Sequence, residues 1–236
     1  MNPVDAAPPS ILLVGASRGL GLAMAGEFID RGWSVVGTVR AGARTPLHEL
    51  AERHPRQLEI ECADITQTGT LQALRERLAP RRFDVLFVNA GITNRNPADT
   101  VADIGTDAFV QLMLTNALGP MRTIETLGEL VTAAGLIGVM SSGQGSVAGN
   151  ANGGHELYRA SKAALNMLMR SYAARHTGSA RALLLLAPGW IRTELGGPDA
   201  PFTLDETVPA IVGTLIDKRG RPGLEYLDRM GRAVPW

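Results

Sequence analysis

Short apolar runs separated by longer stretches of helical spacing constrain this chain more than any other feature. Ile11–Val14, Trp33–Val39, Leu58–Cys62, Val85–Val88, Leu136–Met140, Ala182–Leu186 and Leu224–Leu227 read as strands. They are too short for helices, and their Val, Ile and Leu content suits strands buried on both faces. Helical patterns lie between them: from the turn after the first strand to about Arg31, near Leu47–Arg53, and over Leu71–Leu78. Others run from about Asp107 to Val131 with Gly119-Pro120 near the middle, over Glu156–Arg175, and near Leu204–Ile216. Such alternation predicts a parallel sheet of about seven strands with helices on both faces. Right-handed crossovers make it doubly wound, with ligands at the carboxyl ends of the strands. A (β/α)8 barrel is the structural rival, but a glycine turn directly follows the first strand and only about seven strands are available.

At 236 residues the chain suits a single domain over residues 11–236. Met1–Ser10, with two prolines in tandem, reads as a short disordered leader. Acidic and basic residues number 23 each, so no basic excess points to nucleic acid. The longest apolar stretches, such as Ala182–Pro188, fall far short of the ~20 residues of a membrane span. His48, His54, His155 and His176 have no metal-ligand spacing, so no metal is expected. Cys62 is alone, which excludes an intrachain disulfide and favours a reducing, cytoplasmic compartment. Its place in the third strand suggests a core thiol.

Gly15-Ala16-Ser17-Arg18-Gly19-Leu20-Gly21 joins the first strand to the first helix. Glycines there permit a tight turn and close backbone approach, and the helix N-terminus attracts a pyrophosphate. The same residues also match the nucleophile elbow of serine hydrolases around Ser17, but that elbow follows several strands rather than one. An acid at the end of the second strand would favour NAD. Thr38-Val39-Arg40 stands there instead. Arg40, with Arg18 in the turn, suits the 2′-phosphate of NADP, so NADP (NADPH) is expected over NAD.

Of the 23 basic residues only Lys162 and Lys218 are lysine. Lys162 lies four residues after Tyr158, one helical turn away on the same face. A chance YxxxK is expected in only about one such chain in forty. The pair begins a helix after a strand that ends in Ser141-Ser142. A hydroxyl, a phenol and an ammonium are thus brought to the carboxyl edge of the sheet. A free phenol, with pKa ~10, is a poor base at neutral pH, and a neighbouring Lys⁺ is expected to lower it. Ser142 can hydrogen-bond a substrate oxygen.

These residues resemble the short-chain dehydrogenase/reductase family over nearly the whole chain. Gly15-xxx-Gly19-x-Gly21, Asp64, Asn89-Ala90-Gly91, Asn116, Ser142, Tyr158-xxx-Lys162, Pro188-Gly189 and Thr193 occur in that family's order. The resemblance implies a Rossmann domain and a hydride transfer between nicotinamide and a small carbonyl or alcohol substrate. It implies Tyr158 as general acid/base, Lys162 as the group that lowers its pKa and binds ribose, Ser142 as the carbonyl-orienting residue, and Asn116 as the holder of a relay water. Asp64 would contact adenine, while Asn89, Ala90 and Gly91 would line the adenosine side. Pro188, Gly189 and Thr193 would support the nicotinamide. It adds Ser17, Leu20, Ile65 and Ile191 to the expected cofactor contacts. Residues 188–197, with Val234-Pro235-Trp236, are similar to sniffer and C-factor-like carbonyl reductases. Two positions depart from the family pattern: Val14 where Thr is usual, and Val88 where the first Asn is usual. Gln144, Thr93 and Trp190 are candidate pocket residues, with a short lid from Thr193 to Leu204. Association as a homodimer or homotetramer through the helices at about 107–131 and 156–175 is also implied. The C-factor likeness leaves a second reading, a cofactor-binding signalling or regulatory protein.

Overall fold

Successive side chains of a strand point to opposite faces, so a sheet covered on both sides fills two cores. The computed structural model describes residues 7–94, 96 and 98–236. In β1 (Ser10–Val14), Ile11 and Leu13 enter one core while Leu12 and Val14 enter the other. β2 (Ser34–Val39), β3 (Leu58–Cys62), β4 (Phe83–Val88), β5 (Val131–Met140), β6 (Ala182–Ala187) and β7 (Gly223–Asp228) complete the sheet. Its order is β3-β2-β1-β4-β5-β6-β7, and every pairing is parallel. β6 is buried along its whole length, as a strand of unbroken Ala and Leu must be.

Helices α1 (Gly19–Asp30), α2 (Pro46–Arg53) and α7 (Leu204–Lys218) close the first core. Helices α3 (Thr68–Leu78), α5 (Gly119–Leu127) and α6 (Glu156–Arg175) close the second. The strand order reverses between β1 and β4, which opens a crevice at their carboxyl ends. Val14 and Val88, the two departures from the family pattern, are register partners there and share the second core.

Four local expectations differ. Residues 1–6 of the expected leader lie outside the described residues, while Ser10 already belongs to β1 and Pro9 accepts a hydrogen bond from Ser34 N at 2.9 Å. The long helical region ends early, because β5 starts at Val131. It is also interrupted: α4 (Thr106–Met113) passes into a π turn, Leu114–Leu118, before α5. Pro120 has no N–H for the carbonyl four residues back, that of Asn116, and the wider turn accommodates this. Cys62 is exposed rather than buried, since β3 is the edge strand. No helix among the described residues is long and apolar enough to cross a membrane.

Both lysines are buried. Lys218 is 1% exposed at the end of α7. Its ammonium donates to the carbonyls of Arg221 (2.7 Å) and Gly223 (3.0 Å) and pairs with Glu225 (2.7 Å), tying α7 to β7. The Lys218 hydrogen bond holds the Glu225 carboxyl below its ordinary range. Glu225 stays in reach of water, but removing the ammonium strands the Arg221 and Gly223 carbonyls at about 1–3 kcal/mol each, so Lys218→Ala should cost about 3 kcal/mol. For a chain of this size that is a fall in Tm of roughly 6–12 °C. A depressed carboxyl contributes its stability above its unfolded pKa and loses it as pH falls through the folded one. The gap between variant and wild type, followed by thermal melts, should therefore narrow in acid.

Candidate active site

The glycine turn is held from both neighbouring strands. Gly15 N donates to Thr38 Oγ1 (3.0 Å), Ala16 N to the Thr38 carbonyl (2.9 Å), and Asn89 Nδ2 to the Gly15 carbonyl (2.8 Å). Gly15 has φ +89°, and a side chain on it would strike Ala90. A Cβ on Gly21 would lie 2.1 Å from the Gly15 carbonyl oxygen. At Gly19 (φ +55°) the nearest neighbour to such a Cβ is Thr193, 4.0 Å away, so that side is open. Arg18, at the α1 N-cap, gives the helix no side-chain cap, which leaves the first-turn amides to a ligand.

Beside this turn lies a cavity of about 630 Å³ whose lining includes Ser17, Arg18, Arg40, Arg44, Thr45 and Asp64. Arg18 pairs with Glu194 across the cleft at 3.3 Å, and Arg44 pairs with Glu52 at 2.6 Å. Among the described residues no carboxylate pairs with Arg40. Asp64 Oδ1 accepts from Thr66 N (2.9 Å) and Thr66 Oγ1 (2.7 Å), which fixes the turn after β3. A second cavity, of about 560 Å³, opens beside His176 and Arg181 at the amino ends of β6 and β7, away from these residues.

Across the crevice, β5 delivers Ser142 and α6 delivers Tyr158 and Lys162. His155 enters α6 at φ 52°, a left-handed conformation, so that Tyr158 falls in the first turn. Lys162 is 3% exposed, and its Nζ donates to the Met140 carbonyl at 2.9 Å. Burial pushes this amine down to about 8. Its Nζ stands 5.8 Å from the centre of the Tyr158 ring. Burial pushes the Tyr158 phenol up to about 12, partly offset by a hydrogen bond with Ser142. Burial is the largest influence on the phenol and the one influence on the amine, and Lys162 is not among the groups that shift Tyr158 here. Ser142 Oγ accepts from Gln144 N at 3.2 Å, which directs its own proton elsewhere.

Asn116, fully buried in the π turn, clasps the loop after β4. Ile92 N donates to its Oδ1 (2.9 Å), and its Nδ2 donates to the Ile92 carbonyl (2.8 Å) and to Ser161 Oγ (3.1 Å). Ser161 Oγ in turn donates to the Tyr158 carbonyl at 2.7 Å. A side chain on Gly91 would lie 3.4 Å from Asn116 Oδ1 and 3.5 Å from Lys162 Nζ, so Asn116, Lys162 and Gly91 share one space. Both Nδ2 hydrogens of Asn116 are engaged, so it can offer a water acceptors alone: the second lone pair of Oδ1 or its backbone carbonyl, which Pro120 cannot reach.

The remaining expected residues divide. Asn89, Ala90 and Gly91 line the crevice beside the turn, and Thr193 faces Gly19 with its Oγ1 accepting from Gly196 N (3.0 Å). Leu20 packs against the first core, in which Ile191 is buried, and Ile65 is buried in the second, so none offers a freely exposed side chain. Pro188 is buried and Gly189 turns at φ +94° after β6. Trp190 is 56% exposed on the rim, its Nε1 donating to the Gly196 carbonyl at 2.7 Å. Sequence reasoning missed Thr38 as an anchor of the turn, Arg44 in the cavity, and Ser161 between Asn116 and Tyr158. A polar residue in an otherwise apolar strand was the available signal for Thr38, and a third arginine soon after Arg40 was the signal for Arg44.

The sequence model of a family described as enoyl-(acyl carrier protein) reductase matches residues 15–207. A short-chain dehydrogenase/reductase from Burkholderia multivorans, solved with bound NADP, is 63% identical, with a TM-score of 0.96, over 97% of this chain and all of that one. A carbonyl reductase from Pseudomonas aeruginosa PAO1 is 38% identical, with a TM-score of 0.89, over 97% of this chain and all of that one. The C-signal protein of Myxococcus xanthus is 33% identical over 168 residues, 70% of this chain and the whole of that protein. Likeness on this scale, in sequence and in backbone together, leaves one conclusion: the chain belongs to the short-chain dehydrogenase/reductase family of oxidoreductases.

Proposed function

We propose that this protein is an NADP-dependent carbonyl reductase acting on a small-molecule carbonyl/alcohol pair. The observation that carries the reading is the ring of Arg18, Arg40 and Arg44 around the cavity beside the glycine turn. An arginine stands where an NAD enzyme has its acid, and planar guanidinium groups suit a phosphate. The residues fit the cofactor. Gly19 leaves its side of the cleft open, the first amides of α1 lack a protein cap, and Lys162 is a buried donor with only a carbonyl as its hydrogen-bond partner. The NADP-bound relative at 63% identity supports the same choice.

Bound there, the dinucleotide supplies the hydride. The chain's residues do the rest. Arg40 and Arg44, with Arg18, hold the 2′-phosphate, and the α1 N-terminus takes the pyrophosphate. Lys162 holds the nicotinamide ribose. Ser142 donates to the substrate carbonyl oxygen and fixes it. Tyr158, whose phenol carries its proton at neutral pH, gives that proton to the same oxygen. Lys162 stabilises the phenolate left behind. The Asn116 carbonyl holds the water that returns the proton. Exposed Trp190 and Leu195 at the rim suit bulky carbonyl compounds. The lone thiol of Cys62 fits a reducing cytoplasm. Phe109 and Val110 on α4, Leu118, and Met167 and Leu168 on α6 form exposed apolar surface fit for a second copy, and a monomer in sedimentation would refute that.

Arg40→Ala should raise KM for NADPH by roughly tenfold or more, the loss of a charged hydrogen bond, and leave KM for NADH unchanged. An equal effect on both coenzymes would remove the 2′-phosphate assignment. Tyr158→Phe should lower kcat by about 10²-fold or more with ketone and aldehyde substrates, read from NADPH absorbance. Turnover at the wild-type rate would exclude Tyr158 as the acid. Lys162→Arg keeps the charge but not the compact ammonium, and should lose most activity.

Lys162 also makes a stability prediction. Its folded pKa lies below its unfolded one. Below about 8 both states hold the proton, and the folded state bears the whole burial cost. From there to the ordinary lysine range the folded state sheds the proton first, so stability rises with pH. Lys162→Met should thus stabilise the ligand-free protein near pH 7, by ~1–2 kcal/mol after the Met140 carbonyl loses its donor. Thermal melts should show that gain fading above pH 8.

A further inference from the structure

The chain after β7 doubles back along it. Asp228 N donates to the Arg232 carbonyl and Val234 N to the Tyr226 carbonyl, each at 2.8 Å, and Leu227 bridges Ala233 antiparallel. This return segment sets Trp236 against Tyr226, ring centres 5.4 Å apart, with the Arg170 guanidinium 4.5 Å over the indole. The Trp236 carbonyl then accepts from Ala148 N at 2.9 Å, in the loop that follows Ser142.

Tyr226 reaches the other end of that loop. It is 3% exposed, and its hydroxyl donates to the Ser142 carbonyl. Burial raises the phenol, with Asn166 and Ser141 partly offsetting this, so it stays a donor at neutral pH. Beneath the same loop Ser141 Oγ donates to Asn166 Oδ1 (2.6 Å), and Asn166 Nδ2 donates to the Gly145 carbonyl (3.1 Å). The loop bearing Ser142 is therefore gripped from below at Ser142, Gly145 and Ala148. Fixing the Ser142 carbonyl fixes the extended backbone (φ −161°, ψ 147°) from which its hydroxyl projects.

We propose that Tyr226, steadied by the Trp236 return segment, is the positioning residue for Ser142. The proposal rests on the reductase reading, in which Ser142 holds the substrate oxygen. Substrate contact is not required of Tyr226. It acts through the backbone of the serine, as an outer hydrogen-bond partner orients a catalytic group.

Tyr226→Phe removes the hydroxyl and keeps the ring against Trp236. It should lower kcat roughly tenfold, about the effect of one lost hydrogen bond to a buried carbonyl, with KM for NADPH unchanged. In a Ser142→Ala background the same change should cost no further kcat, because the oriented group is gone. Amide hydrogen exchange, which needs no substrate, should quicken over 142–148 in Tyr226→Phe and in Trp236→Ala, and not in β1 or β4. Unchanged exchange over 142–148 would overturn the proposal. So would an equal fall in kcat with and without Ser142, which marks a general loss of structure. Wild-type turnover by Ser142→Ala would instead refute the reductase reading beneath it.

Discussion

The carboxyl edge of this sheet is arranged around one ammonium removed from water. Lys162 has a single carbonyl, that of Met140, to offset a large loss of hydration. Its neighbours are shaped by that choice. A Cβ on Gly145 would lie 3.0 Å from the backbone and Cβ of Lys162, and one on Gly91 would lie 3.5 Å from its Nζ. The end of β5, the loop after β4 and the first two turns of α6 can close on the amine only because these positions are small. Asn116 seals the far side by clasping Ile92. The amine is pushed down to about 8 because the fold surrounds it.

The rest of the cleft distributes charge along its length. The chain has no formal net charge, yet positive groups mark both ends of the crevice: three guanidinium groups beside β2, and Lys162 beside β5. Between them lies the uncapped N-terminus of α1, a further partial positive charge. A neutral molecule thus presents a locally positive track matched to an extended phosphate-bearing ligand. The negative complement stands at the surface, where Glu52 and Glu194 pair with Arg44 and Arg18 and would have to yield them.

Much of this was legible beforehand. Apolar runs of four to seven residues pointed to the number of strands, since β6 has no polar position and β1 has one only at its first residue, Ser10. The spacing of Tyr158 and Lys162, placed after Ser141-Ser142, pointed to the edge of the sheet where the proposed chemistry lies. What escaped depends on burial and on contacts distant in sequence. The phenol of Tyr158 rises because burial takes it from water, and spacing carries no record of hydration. Tyr226 looks like a core residue of a short strand, and its partner lies 84 positions away. Cys62 looks like core as well, yet β3 is an edge. The interruption at Leu114–Leu118 is the local expression of Pro120, visible in the sequence but read there only as a mid-helix Gly-Pro.

Val14 and Val88 stood as two separate departures from the family pattern, and the register makes them neighbours across β1 and β4. Both are buried, at 1% and 0% exposure, just before the glycine turn and just before Asn89. A hydroxyl or an amide restored at one position alone would enter an apolar layer without its counterpart, at a cost of about 1–3 kcal/mol. Thr38 and Asn89 already hold the turn, so its hydrogen bonds do not depend on polar groups at positions 14 and 88. The two valines thus act as one apolar contact across β1 and β4, and a polar group placed at either would have to find its partner outside that pair.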